Sequence, residues 1–240
     1  MELRDPTMQS HEHAMMDAVI LVDKPRGWTS FDAVRTVRRM FNLDKVGHAG
    51  TLDPQATGLL IVCTGRRTRE ADTFAGLEKE YVGTLELGVE TPSFDSETDV
   101  TEQKAFSHVS RADIERVAAA MQGTQEQEPP MYSAVKYGGK PLYKYARKGR
   151  TVVRQARTIE VKRFEIVSAE LPMVEFRVVC SKGTYIRSLA HDLGQKLGCG
   201  ATLRSLRRTR IGSLTVDQAH SFEQLNTIAH PEWKLKPKES

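Results

Sequence analysis

Twelve residues, Gly47-His48-Ala49-Gly50-Thr51-Leu52-Asp53-Pro54-Gln55-Ala56-Thr57-Gly58, set the tightest limit on how this chain can fold. The stretch holds too much glycine for a helix and too little regularity for a strand, so it reads as a shaped loop. Gly47, Gly50 and Gly58 permit positive φ or a close approach of backbone to a ligand, and Pro54 pushes Asp53 out of the α region and holds it extended. Asp53 is therefore a candidate catalytic carboxylate on a stiff support. The same residues also suit a plain Asp-Pro turn with glycine corners, and the loop alone does not separate the two readings.

The flanking segments suggest how such a loop is carried. Ahead of it, residues 18–22 form a short apolar strand ended by the turn Asp23-Lys24-Pro25-Arg26-Gly27. Thr29 or Ser30 then caps a helix running to about Phe41, with Phe31, Val34, Val37 and Met40 expected on its buried face and Arg35, Arg38 and Arg39 off it. Behind the loop, the unbroken apolar run 59–64 reads as a central strand, followed by a helix around 68–77 and an alternating strand at 81–88. The acidic segment 90–102, with Asp95, Glu97 and Asp99, reads as a solvated loop, and Ser110 with Asp113 opens a helix that Gly123 stops.

Residues 129–159 differ in kind. They contain no Asp or Glu, eight Lys or Arg between Lys136 and Arg157, and four of the six tyrosines, Tyr132, Tyr137, Tyr143 and Tyr145. Cations for phosphates and flat rings for bases suit a looped RNA surface, although tyrosines also pack against long cationic stems. Two further strands are expected at 159–167 and 173–180, then a helix with Ile186, Leu189, Leu193 and Leu197 on one face and Gly198 at its end. Lys182-Gly183-Thr184 reverses the phosphate-loop order, so no nucleotide site is expected. Arg204, Arg207, Arg208 and Arg210 form a second basic cluster, and Ser221 with Gln224 opens a last short helix. Strands and helices do not alternate regularly, which predicts an α+β fold with a large, mainly antiparallel sheet.

Bulk properties narrow the function classes. A chain of 240 residues with net charge +4 suits one large globular domain with an anionic partner. The first apolar run is too short for a signal peptide and no segment reaches membrane-spanning length. Three cysteines without a Cys-x-x-Cys pair point away from disulfides and zinc, which fits a reducing cytoplasm. His11 and His13 lie in an expected loose tail, 1–16, and make no metal site.

Gly47-His48-Ala49-Gly50-Thr51-Leu52-Asp53-Pro54 resembles the signature of the TruB family of pseudouridine synthases. The resemblance continues, in order, through Leu21-Val22-Asp23-Lys24-Pro25, Lys79-Glu80-Tyr81, Pro130-Met131-Tyr132-Ser133-Ala134-Val135-Lys136, Ser181-Lys182-Gly183-Thr184-Tyr185-Ile186-Arg187 and Leu206-Arg207-Arg208, covering roughly 18–229. It implies the pseudouridine synthase fold, with a large mixed sheet around a central RNA-binding cleft and a catalytic domain over 17–230. The basic, tyrosine-rich stretch then becomes a thumb-like insertion at about 124–157 that closes over RNA.

The implied activity is isomerisation of uridine 55 in the TΨC loop of tRNA, with the base flipped out and no metal, cofactor or obligate protein partner. Asp53 matches the essential carboxylate, Arg187 its arginine partner, and Tyr81 the tyrosine that stacks on uracil. His48 matches the histidine that enters the T loop. Lys24, Tyr185 and Leu206 match positions in or behind the pocket, and Gly50, Thr51, Tyr132 and Lys136 lie in the motifs expected to touch substrate. Bacterial relatives usually continue into a PUA domain; with only a basic tail at 231–240, none is expected here, and weaker tRNA binding with it. A non-catalytic tRNA-binding protein and a synthase acting on another RNA, alone or within a guide-RNA particle, remain the alternatives, with a monomer expected.

Overall fold

The computed structural model describes residues 16–229. Apart from Met16, the tails expected at 1–16 and 231–240 lie outside them. The elements run β1 (Val19–Lys24), α1 (Ser30–Met40), β2 (Val46–Ala49), β3 (Thr57–Thr64), a 3-10 turn (Gly65–Glu70), α2 (Ala71–Gly76), β4 (Lys79–Leu87), β5 (Val89–Glu90) and β6 (Glu102–Gln103). They continue as α3 (Arg111–Ala120), β7 (Gly123–Gln127), β8 (Lys136–Tyr137), β9 (Lys140–Pro141), α4 (Leu142–Ala146), β10 (Arg157–Glu170), β11 (Met173–Cys180), α5 (Ile186–Lys196), β12 (Ala201–Ile211), β13 (Leu214–Thr215) and α6 (Phe222–Ala229). Nine strands make a mixed sheet ordered β1-β3-β12-β4-β11-β10-β7, with β2 on β3 and β13 on β12. The β3–β12 pairing is parallel, while β1–β3, β2–β3, β4–β11, β10–β11, β7–β10 and β12–β13 are antiparallel, giving the expected α+β class.

The chain divides into two compact units, one made of residues up to Leu77 with those from Arg207 onward, the other of Glu78–Leu206. In the first unit, β3 is the centre. Strand β1 pairs with it from Gly58 to Cys63, so β12, at Thr57 and Gly58, and β2, at Ile61 to Thr64, divide its other edge. A strand paired on both edges and buried from Gly58 to Thr64 needs the unbroken apolar run seen in the sequence. Ala49, Leu59, Ile61, Cys63 and Ile211 form a core cluster there, with Phe74 and Leu214 packed against it.

Two expectations for this unit fail. Gly47, His48 and Ala49 are not loop but part of β2, because their backbone pairs with β3, His48 opposite Val62. Helix α1 is capped by Thr29 in a full capping box with Asp32, yet it buries Ser30, Ala33, Val34 and Val37, and Phe31 is 68% exposed. The buried face starts one residue earlier than the apolar pattern suggests because Ser30 bonds inward to Leu52.

In the second unit, β4 lies along β11 with Tyr81 opposite Val178, and β10 and β7 follow. Helix α3, closed by the Ser110–Asp113 capping box, buries Ile114, Val117 and Ala118, and α5 buries Ile186, Leu189 and Leu193. The second basic cluster lies on the 11-residue strand β12. Its arginines answer local groups: Arg204 bonds Glu86, Arg207 bonds both carboxylate oxygens of Asp23 at 3.0 and 2.7 Å, and Arg208 is buried.

Candidate active site

In the first unit, the segment around Asp53 is fastened through its own backbone. Leu52 donates its N–H to Ser30 Oγ at 2.9 Å, and that hydroxyl donates to the Leu52 carbonyl at 3.2 Å. Gly27 donates to the Pro54 carbonyl at 2.8 Å, Ala56 to the Asp53 carbonyl at 3.1 Å, and Arg26 Nε to Gln55 Oε1 at 2.9 Å. Arg208, 1% exposed, completes the frame, with Nε donating to Leu59 O at 2.7 Å, Nη2 to Gly50 O at 3.0 Å and Nη1 to Thr51 O at 3.5 Å. One side chain thus ties both ends of the loop to β12. Gly58 is required by that tie, since its φ is +100° and an added Cβ would lie 2.3 Å from the Arg208 carbonyl oxygen.

Lys24 is fully buried. Its ammonium donates to the carbonyls of Trp28 at 2.7 Å, Pro25 at 3.0 Å and Pro54 at 3.5 Å. Burial pulls its pKa down to about 8, Arg208 adds to that fall, and the nearby Asp53 carboxylate opposes it. His48, half-buried on β2, is likewise held below its ordinary value by burial and then by Arg208, and its Nδ1 is buried without a partner. A neutral imidazole near the Arg208 cation suits a group that stacks.

The second unit builds a cradle for one cation. Arg187, 3% exposed in the first turn of α5, donates Nη1 to Ser93 O and Nη2 to Tyr132 O, both at 3.0 Å, while Nε lies 3.5 Å from the Asp95 carboxylate. Asp95 is itself held by Ser93 Oγ at 2.6 Å and the Glu97 N–H at 2.9 Å. This corrects the reading of 90–102 as solvated, because Asp95 and Ser93 are buried against Arg187. Tyr185 precedes α5, and Gln127 binds both sides of its peptide, accepting its N–H at 2.7 Å and donating to its carbonyl at 3.0 Å. The Tyr185 ring lies under the Arg157 guanidinium, 5.4 Å from its carbon.

The structure therefore sorts the residues expected from sequence into two clusters. Lys24, His48, Gly50, Thr51 and Asp53 belong to the first unit; Tyr81, Tyr132, Lys136, Tyr185, Arg187 and Leu206 belong to the second. Tyr81 is buried on β4, Lys136 is exposed on β8, and Leu206 is half-buried on β12. Ser30, Asp95, Gln127 and Arg208 were not among the expected site residues. Ser30 reads as a helix cap, Asp95 as one acid among several, and Arg208 as one of a basic cluster, so only their burial separates them from their neighbours. Among the described residues no group of three or more His, Cys, Asp or Glu is placed to hold a metal ion, and no helix is long and apolar enough to cross a membrane.

Comparison with known proteins gives these clusters a setting. Residues 38–186 match the family described as TruB family pseudouridylate synthase (N terminal domain), and 187–238 match the tRNA pseudouridylate synthase B C-terminal domain. A protein of Opitutus terrae named tRNA pseudouridine synthase B is 46% identical over 217 residues, 90% of each chain. One of the same name from Chloroherpeton thalassium is 45% identical over 211 residues, 86% of this chain and 88% of the other. Among solved structures, a chain of a Cbf5-Nop10-Gar1 complex superposes with a TM-score of 0.72 at 32% identity; the match covers 95% of this chain and 57% of that one, so this chain spans little more than half its length. The chain belongs to the TruB family of pseudouridylate synthases, isomerases that convert uridine to pseudouridine.

Proposed function

We propose that the substrate is tRNA, that the target is uridine 55 in the T loop, and that Asp53 is the carboxylate on which the reaction depends. The relatives named tRNA pseudouridine synthase B, matched over nine-tenths of both chains in one case, support the substrate. The observation that carries the role of Asp53 is its support: a loop held at Gly50, Thr51, Leu52, Pro54 and Leu59, with a buried lysine whose titration feels the carboxylate. Such a loop keeps an acid aimed while water is replaced by substrate.

The reaction breaks the bond from C1′ to N1, turns the base and rejoins C1′ to C5; N1 gains a proton and C5 loses one. The base must leave its stack for any of this. Neutral His48 is suited to occupy space left by extruded bases, and Tyr81 to stack on the uracil. Arg187 serves the same reaction as a fixed cation. Exposed Lys136, Lys140, Lys144, Lys148 and Arg150 supply phosphate contacts, and Tyr137, 48% exposed, offers a ring edge-on to Tyr145 at 5.9 Å. The enzyme acts alone on free tRNA.

The test is tritium release from tRNA carrying C5-tritiated uridine, comparing wild type with Asp53→Asn at equal RNA binding. Release by the wild type and none above background by the variant is expected. Release by Asp53→Asn would remove Asp53 from the chemistry. Undiminished release from tRNA whose only labelled uridine lies outside the T loop would remove the target site.

A further inference from the structure

Phe94 lies in the left-handed region, with φ of +63°, a conformation in which a bulky side chain is an outlier. Its neighbours on either side are the two groups of that turn that hold Arg187: the Ser93 carbonyl on Nη1 at 3.0 Å and the Asp95 carboxylate 3.5 Å from Nε. The reversal at Phe94 is what lets a backbone oxygen and a side-chain oxygen two residues apart converge on one guanidinium. The turn is closed by the Phe94 N–H on Thr91 O at 3.1 Å, the Leu203 N–H on Phe94 O at 3.0 Å, and Thr91 Oγ1 on the Asp95 carbonyl at 2.8 Å.

The ring of Phe94 stacks on His191, with centroids 4.0 Å apart and planes 14° from parallel. His191 follows Arg187 by four residues on α5, so the two side chains share a helix face and meet the same turn. Its Nδ1 is buried and has no hydrogen-bond partner, so the contact it makes with the turn is that of a flat ring. Burial keeps the imidazole below its ordinary pKa, Lys104 in the same direction, with Asp192 and Glu90 opposing.

We infer that Phe94 and His191 are positioning residues: their stack holds the strained turn of residues 93–95 in the conformation that fixes the Arg187 guanidinium. The stack offsets the strain at Phe94 and couples the turn to α5, so that losing it lets Ser93 and Asp95 drift from the arginine while the fold persists. The inference rests on the proposed role of Arg187 in the reaction.

The experiment is tritium release under single-turnover conditions for His191→Phe, His191→Leu and Arg187→Lys, with tRNA affinity and Tm measured for each. His191→Phe keeps a flat ring and should turn over within about twofold of wild type. His191→Leu, of similar bulk without a ring, should lose about tenfold in rate at unchanged tRNA affinity, the scale of one aromatic pair. Wild-type turnover by His191→Leu overturns the inference. Equal damage in both His191 variants also overturns it, by showing that the imidazole nitrogens and not the ring are needed. Arg187→Lys separates the two layers: undiminished turnover there refutes the role of Arg187, whereas a severe loss there beside an active His191→Leu refutes the stack alone.

Discussion

The Asp53 loop and the Arg187 cradle solve opposite versions of one problem. In the first unit the acid stands on a loop whose carbonyls are gripped by buried cations, Arg208 on Gly50, Thr51 and Leu59, and Lys24 on Pro54. In the second the group proposed to act is itself the buried cation, and carbonyls from Ser93 and Tyr132 reach in to grip it. Both use the same contact, a charged donor on a backbone oxygen, which is stronger than a neutral hydrogen bond and needs no second charge. The difference lies in what the cation does. Arg208 holds the shape of a loop, whereas Arg187, in the role proposed for it, is held so that its own charge is available.

Removing each cation should therefore break different properties. Arg208→Met leaves three carbonyls without their donor in a dry interior, and a loss of about 3–5 kcal/mol in stability is expected, read as a fall in Tm or in the denaturant midpoint. That is the largest effect, and it reaches activity only through the loop. Arg187→Lys keeps a charge in the cradle but cannot reach Ser93, Tyr132 and Asp95 together. Turnover should fall about 100-fold, the worth of one or two charge-assisted bonds, with a smaller change in Tm than Arg208→Met gives. If the two variants lose stability and turnover in the same proportion, the division between a framing cation and a working one does not hold.

The two regions also differ in how far they could be read from sequence. The shaped segment that carries Asp53 was legible because its constraints are local: Gly50 and Gly58 take positive φ within eight residues of one another, with Pro54 between them. The continuous burial of β3 was legible for the same reason, as an unbroken apolar run. The Arg187 cradle draws Ser93 and Asp95 from one distant segment and Tyr132 from another, and nothing local marks Asp95 as different from Glu97 or Asp99. Strand β12 escaped because arginine fills positions where an apolar residue would signal a strand, and Arg208 is buried by its hydrogen bonds and not by its hydropathy. On α1, Val34 and Val37 are buried as the apolar pattern indicates, while Phe31 is exposed and its neighbour Ser30 is buried by bonding inward to Leu52.

The smallest expected effect lies with Lys24, and it sharpens the comparison most finely because Lys24 belongs to both kinds. It grips a loop carbonyl as Arg208 does, and its charge acts on Asp53 as a working cation would. Unlike arginine it can lose that charge near neutral pH, burial having brought its pKa from 10.5 to about 8. Between those two values the unfolded chain holds a proton at Lys24 that the folded chain has released. The lysine's contribution to stability therefore rises with pH across that window, while the field it places on Asp53 fades. Activity should accordingly show an alkaline limb of a few-fold centred near pH 8, and Lys24→Met, which has no such proton to lose, should be slower below it and flat across it. Single-turnover rates from pH 6.5 to 9.5, with wild type and variant on the same tRNA, decide the matter. A limb that persists unchanged in Lys24→Met would mean that a group other than Lys24 titrates there, and that Lys24 is only a second clamp on the loop.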